Sequence, residues 1–199
     1  MRSIVYKDKN IILDNGLLFG QSVFETILYE NKPLFLREHI ARLKDSMKKI
    51  ELEELEEDDL LIFLDKINIK HKAVKIVVTP ENIIIIEREV SYKQEDYNRG
   101  FSLMNSDVLR NSTSILSYIK STAYIENIIE RKKAQKNGYD DVVFLNEYQC
   151  ITETSCANIF FIKDSKIFTP KLADGLLDGI IRNWVFENYD VIEKHIRVN

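Results

Sequence analysis

Lys120 carries an amine in a mostly apolar part of the sequence. It follows the run 115–119 and precedes Ser121 and Thr122, which can cap a following helix. A lysine at the end of a buried strand loses hydration, and desolvation favours the neutral amine, which attacks aldehydes. On this setting alone an exposed lysine at a strand end is the better interpretation, because most lysines are solvated.

Glu153 lies between two predicted strands, in the segment 151–158, and is flanked by small polar residues. A carboxylate in such a place can keep a pyridine nitrogen protonated, and the protonated ring then withdraws electrons from a bound substrate. A turn glutamate in solvent explains the same pattern equally well. The local sequence leaves both interpretations open.

Two features could bind a phosphate. Arg42 shares a helix face with His39 and Ser46, beside the apolar row, and a half-shielded guanidinium can bind a phosphate through two N–H groups. An arginine that extends from the edge of the core into solvent is the better local interpretation. Residues 179–182 open a predicted helix after a glycine, where the free amides of Ile180 and Ile181 suit a phosphate, although many helices begin this way.

Composition excludes several classes of protein. The chain has 199 residues, 45% of them hydrophobic, and a net charge of −4, which is too mild to indicate binding to nucleic acid or to a membrane surface. Two cysteines are too few for a disulfide framework or a zinc cluster, so no metal is expected. The sequence shows neither a signal peptide nor an apolar run that spans a bilayer, and a cytoplasmic protein is expected.

Periodicity and turn signals predict strands, helices and again strands in the first half. A helix is predicted over 37–50, where apolar residues recur at helical spacing. Another is predicted over 56–67, where an acidic first turn suits the helix dipole. Three hairpins are predicted from strand pairs that flank polar turns. The pairs are 3–6 with 11–13, 23–29 with 33–36, and 73–79 with 82–87, and the run 83–86 is expected to be buried on both faces.

The second half is predicted to be rich in strands. A polar linker is expected over 91–100, then a strand near 101–104, a loop over 105–113 and a helix over 124–136. Short strands and a last helix follow, over 142–145, 149–152, 158–162, 166–169 and 180–187, with a further strand from Tyr189. The interpretation is an α+β chain with an N-terminal α/β domain, 1–104, and a β-rich C-terminal domain, 105–199.

Taken in order, several segments resemble the fold-type IV pyridoxal-phosphate enzymes, the class IV aminotransferase family. Each segment is a weak signal, but their order along nearly the whole chain is specific. The segments are 19–26, 38–43, Lys120 with Tyr124 and 126–127, 138–141, 153–160, 169–170 and 174–182.

The resemblance implies a role for each candidate residue. Lys120 would be the Schiff-base lysine that holds pyridoxal 5′-phosphate and moves a proton at the substrate Cα. Glu153 would face the pyridine nitrogen, and Tyr124 the phenolic oxygen of the cofactor. The phosphate would be bound by Arg42 and by the amides of Ile180 and Ile181. The family fold implies two domains with the cofactor between them and a homodimer, and this chain ends at Asn199 where relatives continue, so a shortened C-terminal end is expected.

Within the family the sequence resembles aminodeoxychorismate lyase, which implies release of pyruvate and 4-aminobenzoate, a step of folate biosynthesis. The D-amino-acid enzymes have a long loop with Arg and His after the strand that matches 75–79, and only Thr79-Pro80-Glu81-Asn82 stands here. A branched-chain aminotransferase acting on a small amine substrate remains an alternative. A non-catalytic relative that acts as a scaffold or binding protein is a hypothesis of another class.

Overall fold

The computed structural model describes residues 1–8, 10–90 and 92–198. The chain forms two compact units. The first holds Met1–Lys93 and the returning segment Ile119–Ala123, and the second holds Gln94–Tyr118 and the chain from Tyr124 onward. The mixed α+β composition is confirmed. The division into domains 1–104 and 105–199 stays a prediction, because compactness alone does not establish an independently folding domain.

The first unit is a four-stranded sheet with helices packed against one face. Its elements are β1 Ser3–Tyr6, α1 Asn15–Phe19, β2 Val23–Tyr29, α2 Leu36–Lys49, α3 Glu57–Lys66, β3 Lys72–Val78 and β4 Asn82–Glu89. The strand order is β1-β4-β3-β2, in which β3 is antiparallel to both β2 and β4, and β1 is parallel to β4. Apolar residues of α2 and α3, such as Leu43 and Leu60, pack with strand residues such as Ile27 and Ile76 to form the core.

Of the three predicted hairpins, the first is wrong and the second forms only one bridge. Strand β1 pairs in parallel with β4, and no strand forms over 11–13. The Asn82 side chain bonds both backbone groups of Ile12, its Oδ1 accepting from the N–H at 2.9 Å and its Nδ2 donating to the carbonyl at 2.9 Å, in place of a strand partner. Pro33 makes a single bridge with Tyr29 before α2 begins.

The third hairpin and the two predicted helices, α2 and α3, are confirmed. The run 83–86 is not buried on both faces, because Ile86 is exposed while Ile83 and Ile85 are buried. Alternation therefore holds along β4, and one face of this strand packs on the core.

Within its described residues, the second unit contains two three-stranded sheets and three α-helices. Its elements are α4 Gln94–Arg99, β5 Leu103–Arg110, α5 Ile125–Lys136, β6 Asp141–Asn146, β7 Ile151–Thr154, β8 Phe161–Lys163, β9 Lys166–Pro170, α6 Ile180–Asn188 and β10 Val191–Lys194. The sheet orders are β5-β6-β7 and β10-β9-β8. Helix α5 packs on β5 and β6, where Ala134, Val142 and Phe144 form a small core.

Three predictions for this half need correction. Helix α4 occupies most of the predicted linker 91–100, whose residue Ser91 lies outside the described residues. Strand β5 extends through most of the predicted loop 105–113. The run before Lys120 is a 3₁₀ turn over Ile115–Tyr118 rather than a buried strand. No helix in the described parts of the chain is both long and apolar enough to cross a bilayer.

Candidate active site

Lys120 is fixed by its backbone to the beginning of β2. Its carbonyl accepts a hydrogen bond from the Phe24 N–H at 2.8 Å, and Thr122 N–H donates to the Ser22 carbonyl at 3.0 Å. Between these two bonds, Ser121 forms an antiparallel bridge with Val23. The short segment around Lys120 thus extends the first unit's sheet locally at the edge strand, and the lysine backbone cannot move without breaking these bonds.

The amine of Lys120 shares an aromatic contact with a second lysine. Lys120 Nζ lies 4.8 Å from the centroid of the Phe24 ring, and Lys75 Nζ lies 4.0 Å from the same centroid. Both lysines are partly buried. Burial, and then the charge of Arg88, lowers the pKa of Lys75 below its ordinary value. Two amines with reduced hydration therefore meet one ring, a setting that suits an anionic aromatic or carbonyl ligand.

Sequence reasoning missed Lys75. The residue lies in β3 among alternating apolar residues, and Val74 and Ile76 on either side of it point into the core. A charged residue on the face of the sheet opposite the core is normally solvated, so its type gives no sign of a site. Its partial burial and its contact with Phe24 on β2 depend on the pairing of the two strands, which the sequence does not display.

Arg42 is bound to a buried carboxylate. Its Nε and Nη2 lie 2.7 Å from Oε1 and Oε2 of Glu25, and His39 Nδ1 lies 2.7 Å from the same Oε2. Glu25 is only 1% exposed. Burial raises the cost of its charge, but the hydrogen bonds from Arg42 and His39 outweigh that cost and hold the pKa of Glu25 below its ordinary value.

The helix face predicted for Arg42 and His39 is therefore correct, while the partner of both side chains was not foreseen. Glu25 lies in β2 and Arg42 in α2, and the packing of α2 on β2 brings the two side chains together. With two of its N–H groups directed at Glu25, Arg42 is held in one orientation. Its contact with a phosphate stays a prediction.

In the second unit, Glu153 lies within β7 and not in a turn between strands. Its Oε2 accepts hydrogen bonds from the Leu177 N–H at 3.2 Å and from Asn158 Nδ2 at 3.3 Å. Asn158 Nδ2 also donates to the Leu177 carbonyl at 2.9 Å. The carboxylate is thus partly buried and oriented, so a turn glutamate in solvent does not describe it.

Tyr124 immediately precedes α5 and lies close to Glu153 and Cys156. Its hydroxyl donates to the Ser155 carbonyl, which also accepts from Asn127 Nδ2 at 2.7 Å. Burial, followed by the charges of Cys156 and Glu153, raises the pKa of Tyr124 well above its ordinary value. A hydroxyl has one proton to donate, so the predicted bond to a phenolic oxygen would require the bond to Ser155 to be exchanged.

Helix α6 begins at Ile180, as predicted. Its N-cap is Gly179, and no side chain within the described residues caps this end. A Cβ on Gly179 would lie 1.8 Å from Asn158 Oδ1, so only glycine fits beside the asparagine that holds Glu153. The start of the helix therefore lies beside the side chain that also donates to the Glu153 carboxylate. Such an uncapped N-terminus is suited to an anion.

The six candidate residues fall into two groups. Lys120 and Arg42 belong to the first unit, and Tyr124, Glu153, Ile180 and Ile181 belong to the second. Ile180 is buried and Ile181 is exposed, so their side chains differ in setting while their amides both open α6. The catalytic and cofactor-binding roles of all six remain predictions.

Comparison with known proteins identifies a family for most of the chain. The sequence profile described as "Amino-transferase class IV" matches residues 22–199. An aminodeoxychorismate lyase from Bacillus subtilis (strain 168) is 27% identical over 208 residues, which cover 92% of this chain and 70% of that protein. A "Probable branched-chain-amino-acid aminotransferase" from Rickettsia bellii (strain RML369-C) is 30% identical over 194 residues, covering 88% of this chain and 67% of that protein.

A solved structure supports the same likeness. A crystal structure of a protein from Legionella pneumophila, provisionally named a 4-amino-4-deoxychorismate lyase, superposes with a TM-score of 0.87 at 26% identity. The superposition covers 98% of this chain and 81% of the Legionella chain. The similarity therefore extends through both units of the chain.

Proposed function

The chain belongs to the class IV aminotransferases, a family of pyridoxal-phosphate enzymes with the type IV fold, and we propose from that premise that it is a 4-amino-4-deoxychorismate lyase. The reaction would split 4-amino-4-deoxychorismate into pyruvate and 4-aminobenzoate, a precursor of folate. The likeness to the Bacillus subtilis lyase supports this choice. The likeness to a branched-chain aminotransferase keeps that activity as the second candidate.

The donor groups of the two units fit pyridoxal phosphate in kind. An amine suits its aldehyde, a carboxylate suits its pyridine nitrogen, and uncapped helix amides suit its phosphate. Lys120 supplies the amine, Glu153 the carboxylate, and Ile180 and Ile181 the amides. When bound, the cofactor supplies an electron-withdrawing ring that stabilises negative charge on the substrate carbon that bears the amine.

The protein side chains would then perform separate tasks. Lys120 would bind the cofactor, and its amine, once released, would take the proton from the substrate carbon that bears the amine. Glu153, held by Leu177 and Asn158, would keep a proton on the pyridine nitrogen. Arg42, oriented by Glu25, would contribute charge towards the phosphate.

The observation that carries the choice of substrate is the half-buried amine of Lys75, which contacts the same Phe24 ring as Lys120. The substrate of the lyase is an unsaturated ring with two carboxylates, and a desolvated cation beside an aromatic side chain fits such an anion. A branched-chain amino acid would instead place an apolar side chain against a partly buried charge, which is unfavourable.

The turn between β3 and β4 also bears on the substrate. Asp14 Oδ2 accepts hydrogen bonds from the Thr79 hydroxyl, from the Glu81 N–H at 2.9 Å and from Asn82 Nδ2 at 3.1 Å. This network closes the turn tightly. A long loop carrying Arg and His, which the resemblance associates with D-amino-acid enzymes, has no counterpart between these strands.

The expected activity needs no amino-group acceptor. We expect the purified protein with pyridoxal phosphate to convert 4-amino-4-deoxychorismate into equal amounts of 4-aminobenzoate and pyruvate without any 2-oxo acid. Chromatography measures the first product and a lactate dehydrogenase assay the second. Absence of both products, together with amino transfer from leucine to 2-oxoglutarate, would assign the branched-chain activity instead. Failure of both assays in a protein that binds no cofactor would favour a scaffold.

Substitution of Lys75 tests the carboxylate contact. We expect Lys75→Met to raise the KM for 4-amino-4-deoxychorismate about 10- to 100-fold, since a hydrogen bond to a charged group contributes about 1.5–3 kcal/mol, with a smaller change in kcat. Lys72→Met is the matched control, because Lys72 lies on the same strand but pairs with Glu89 at 3.1 Å. An unchanged KM in Lys75→Met would remove Lys75 from substrate binding.

A homodimer in the cytoplasm is also proposed. The exposed apolar side chains of α1 support an interface, since Leu17, Leu18 and Phe19 are 45%, 57% and 81% exposed in the isolated chain.

A further inference from the structure

Three side chains with metal-binding chemistry meet in the second unit, apart from the residues proposed above to bind pyridoxal phosphate. They are Cys150, Asp174 and His195, and one ligand atom of each lies within 4.8 Å of the others. No metal was expected from the sequence, because two cysteines are too few for a zinc cluster. A mixed site with one thiolate, one carboxylate and one imidazole needs only one cysteine.

Hydrogen bonds to backbone groups hold the segments of these three residues together. Asn146 connects two of them, since its Oδ1 accepts from the Cys150 N–H at 2.9 Å and its Nδ2 donates to the Asp174 carbonyl at 3.1 Å. The Ile151 N–H donates to the Ile196 carbonyl at 2.6 Å, which fixes the segment that carries His195 beside the start of β7. The cluster therefore rests on three segments that are far apart in sequence and bonded to one another.

The carboxylate of Asp174 is the unusual member of the cluster. Asp174 is 2% exposed, and its Oδ1 lies 2.6 Å from His195 Nδ1. Its Oδ2 is buried and has no hydrogen-bond partner among the described residues. Buried carboxylate oxygens are costly unless they accept a hydrogen bond or bind a cation. Cys150 is 3% exposed, and its Sγ makes one weak contact, with the Tyr148 carbonyl at 3.8 Å.

We propose that Cys150, Asp174 and His195 bind a divalent ion of the Zn²⁺ type. Zinc takes sulfur, nitrogen and oxygen ligands at about 2.0–2.3 Å in tetrahedral geometry, so the ligand atoms must draw slightly closer than 4.8 Å. His195 has a side chain that is 56% exposed, and its rotation supplies this movement. The thiol of Cys150 releases its proton to solvent on binding, and Oδ2 of Asp174 becomes a ligand.

Such an ion would join the turn before β7, the 3₁₀ turn Leu172–Asp174 and the segment after β10. Three protein ligands leave a fourth position for water, and no reaction is assigned to it. The exposed imidazole gives the ion a path of entry from solvent.

Cobalt substitution tests the proposal directly. The full chain, with pyridoxal phosphate bound, is dialysed against Co²⁺, and we expect one ion per chain, a thiolate-to-cobalt charge-transfer band and the intense visible bands of tetrahedral cobalt. Zn²⁺ should displace these bands. Cys150→Ser and His195→Gln should each abolish the thiolate band or lower the affinity for Zn²⁺ by more than about 100-fold, which exceeds the 10–100-fold loss typical of outer partners.

Two matched variants serve as controls. Cys156→Ser removes the other, exposed cysteine, and His71→Gln removes an exposed histidine that pairs with Glu30. Both should keep the cobalt spectrum. Because the side chain of His195 is more than half exposed, His195→Gln should fold even if the buried Cys150 does not tolerate replacement. A wild-type protein without a thiolate band, or Zn²⁺ affinity unchanged in His195→Gln, would overturn the proposal and leave a His–Asp pair beside a thiol.

Discussion

Lys120→Ala is expected to remove covalent binding of pyridoxal phosphate and to lower turnover of 4-amino-4-deoxychorismate by about 10³-fold, within the range for loss of a positioned acid–base group. The backbone bond from Phe24 N–H to the carbonyl of residue 120 does not depend on the lysine side chain. The fold should therefore survive, and the loss should be chemical. Reduction with borohydride followed by peptide mass spectrometry locates the cofactor on Lys120 in the parent protein.

For the site of cofactor attachment the comparison is Lys75→Ala, which should keep the cofactor on Lys120. Lys75 Nζ lies nearer the Phe24 ring than Lys120 Nζ does, at 4.0 Å against 4.8 Å. Burial lowers the pKa of Lys75, which is a property expected of an amine that attacks aldehydes. Lys75 is thus the alternative candidate for covalent binding of the cofactor. Reduced cofactor found on Lys75 in the parent protein, or retained in Lys120→Ala, would transfer the covalent role to it.

The elements that could be predicted from the sequence are those set by local signals. Helix α2 and the hairpin of β3 and β4 follow from apolar spacing and from the Pro80-Glu81 turn, and both form nearly where expected. Helix α5 ends at Lys136 and has Asn137 as its C-cap. Gly138 follows with φ +82°, a backbone conformation that glycine adopts readily. Neighbours along the chain are enough to specify such elements.

The elements that were predicted wrongly depend on partners that are distant in the sequence. Strand β1 pairs with β4, whose residues come some eighty positions later, and a local pattern suggested a hairpin with 11–13 instead. Strand β5 runs through a segment rich in Asn and Ser because it pairs with β6, with a change of register after Asn105. Sheet partners decide strand formation where intrinsic preference is weak.

The same distinction applies to the candidate site. Resemblance selected Lys120 and Glu153 by residue type, but it gave no sign of Asn158 as the side chain that holds Glu153. Lys75 was missed as a functional candidate because alternation along β3 explains its position without any partner. Glu25 shares the core-facing side of β2 with Val23 and Ile27, so an acidic residue at this position was a signal present in the sequence. Their significance follows from cross-strand and helix–strand packing, which requires the three-dimensional structure.

Glu25→Gln is expected to lower the free energy of unfolding of the protein by about 3 kcal/mol, at the lower end of the range for removing one partner of a buried ion pair. The amide cannot accept from Arg42 through both of its atoms, and it leaves the guanidinium and His39 beside a neutral group. Because both partners keep some contact with solvent, the loss is not larger. Urea denaturation at neutral pH, monitored by circular dichroism, measures it.

The pH dependence of that loss tests its electrostatic origin. The pKa of Glu25 is lowered in the folded state from an ordinary value of 4.5, because hydrogen bonds from Arg42 and His39 outweigh the cost of burial. A lowered pKa stabilises the folded protein fully above the ordinary value, and this stabilisation disappears as the pH falls through the folded-state value. The difference between the parent protein and Glu25→Gln should therefore be constant near neutrality and should shrink below about pH 4.5. The control is Glu30→Gln, which alters the exposed pair with His71 and should change stability little at any pH.

An effect of Glu25→Gln that is equally small, or that fails to shrink in acid, would contradict this expectation. The Glu25 carboxylate would then not be ionised between Arg42 and His39, and the orientation of Arg42 would need another cause.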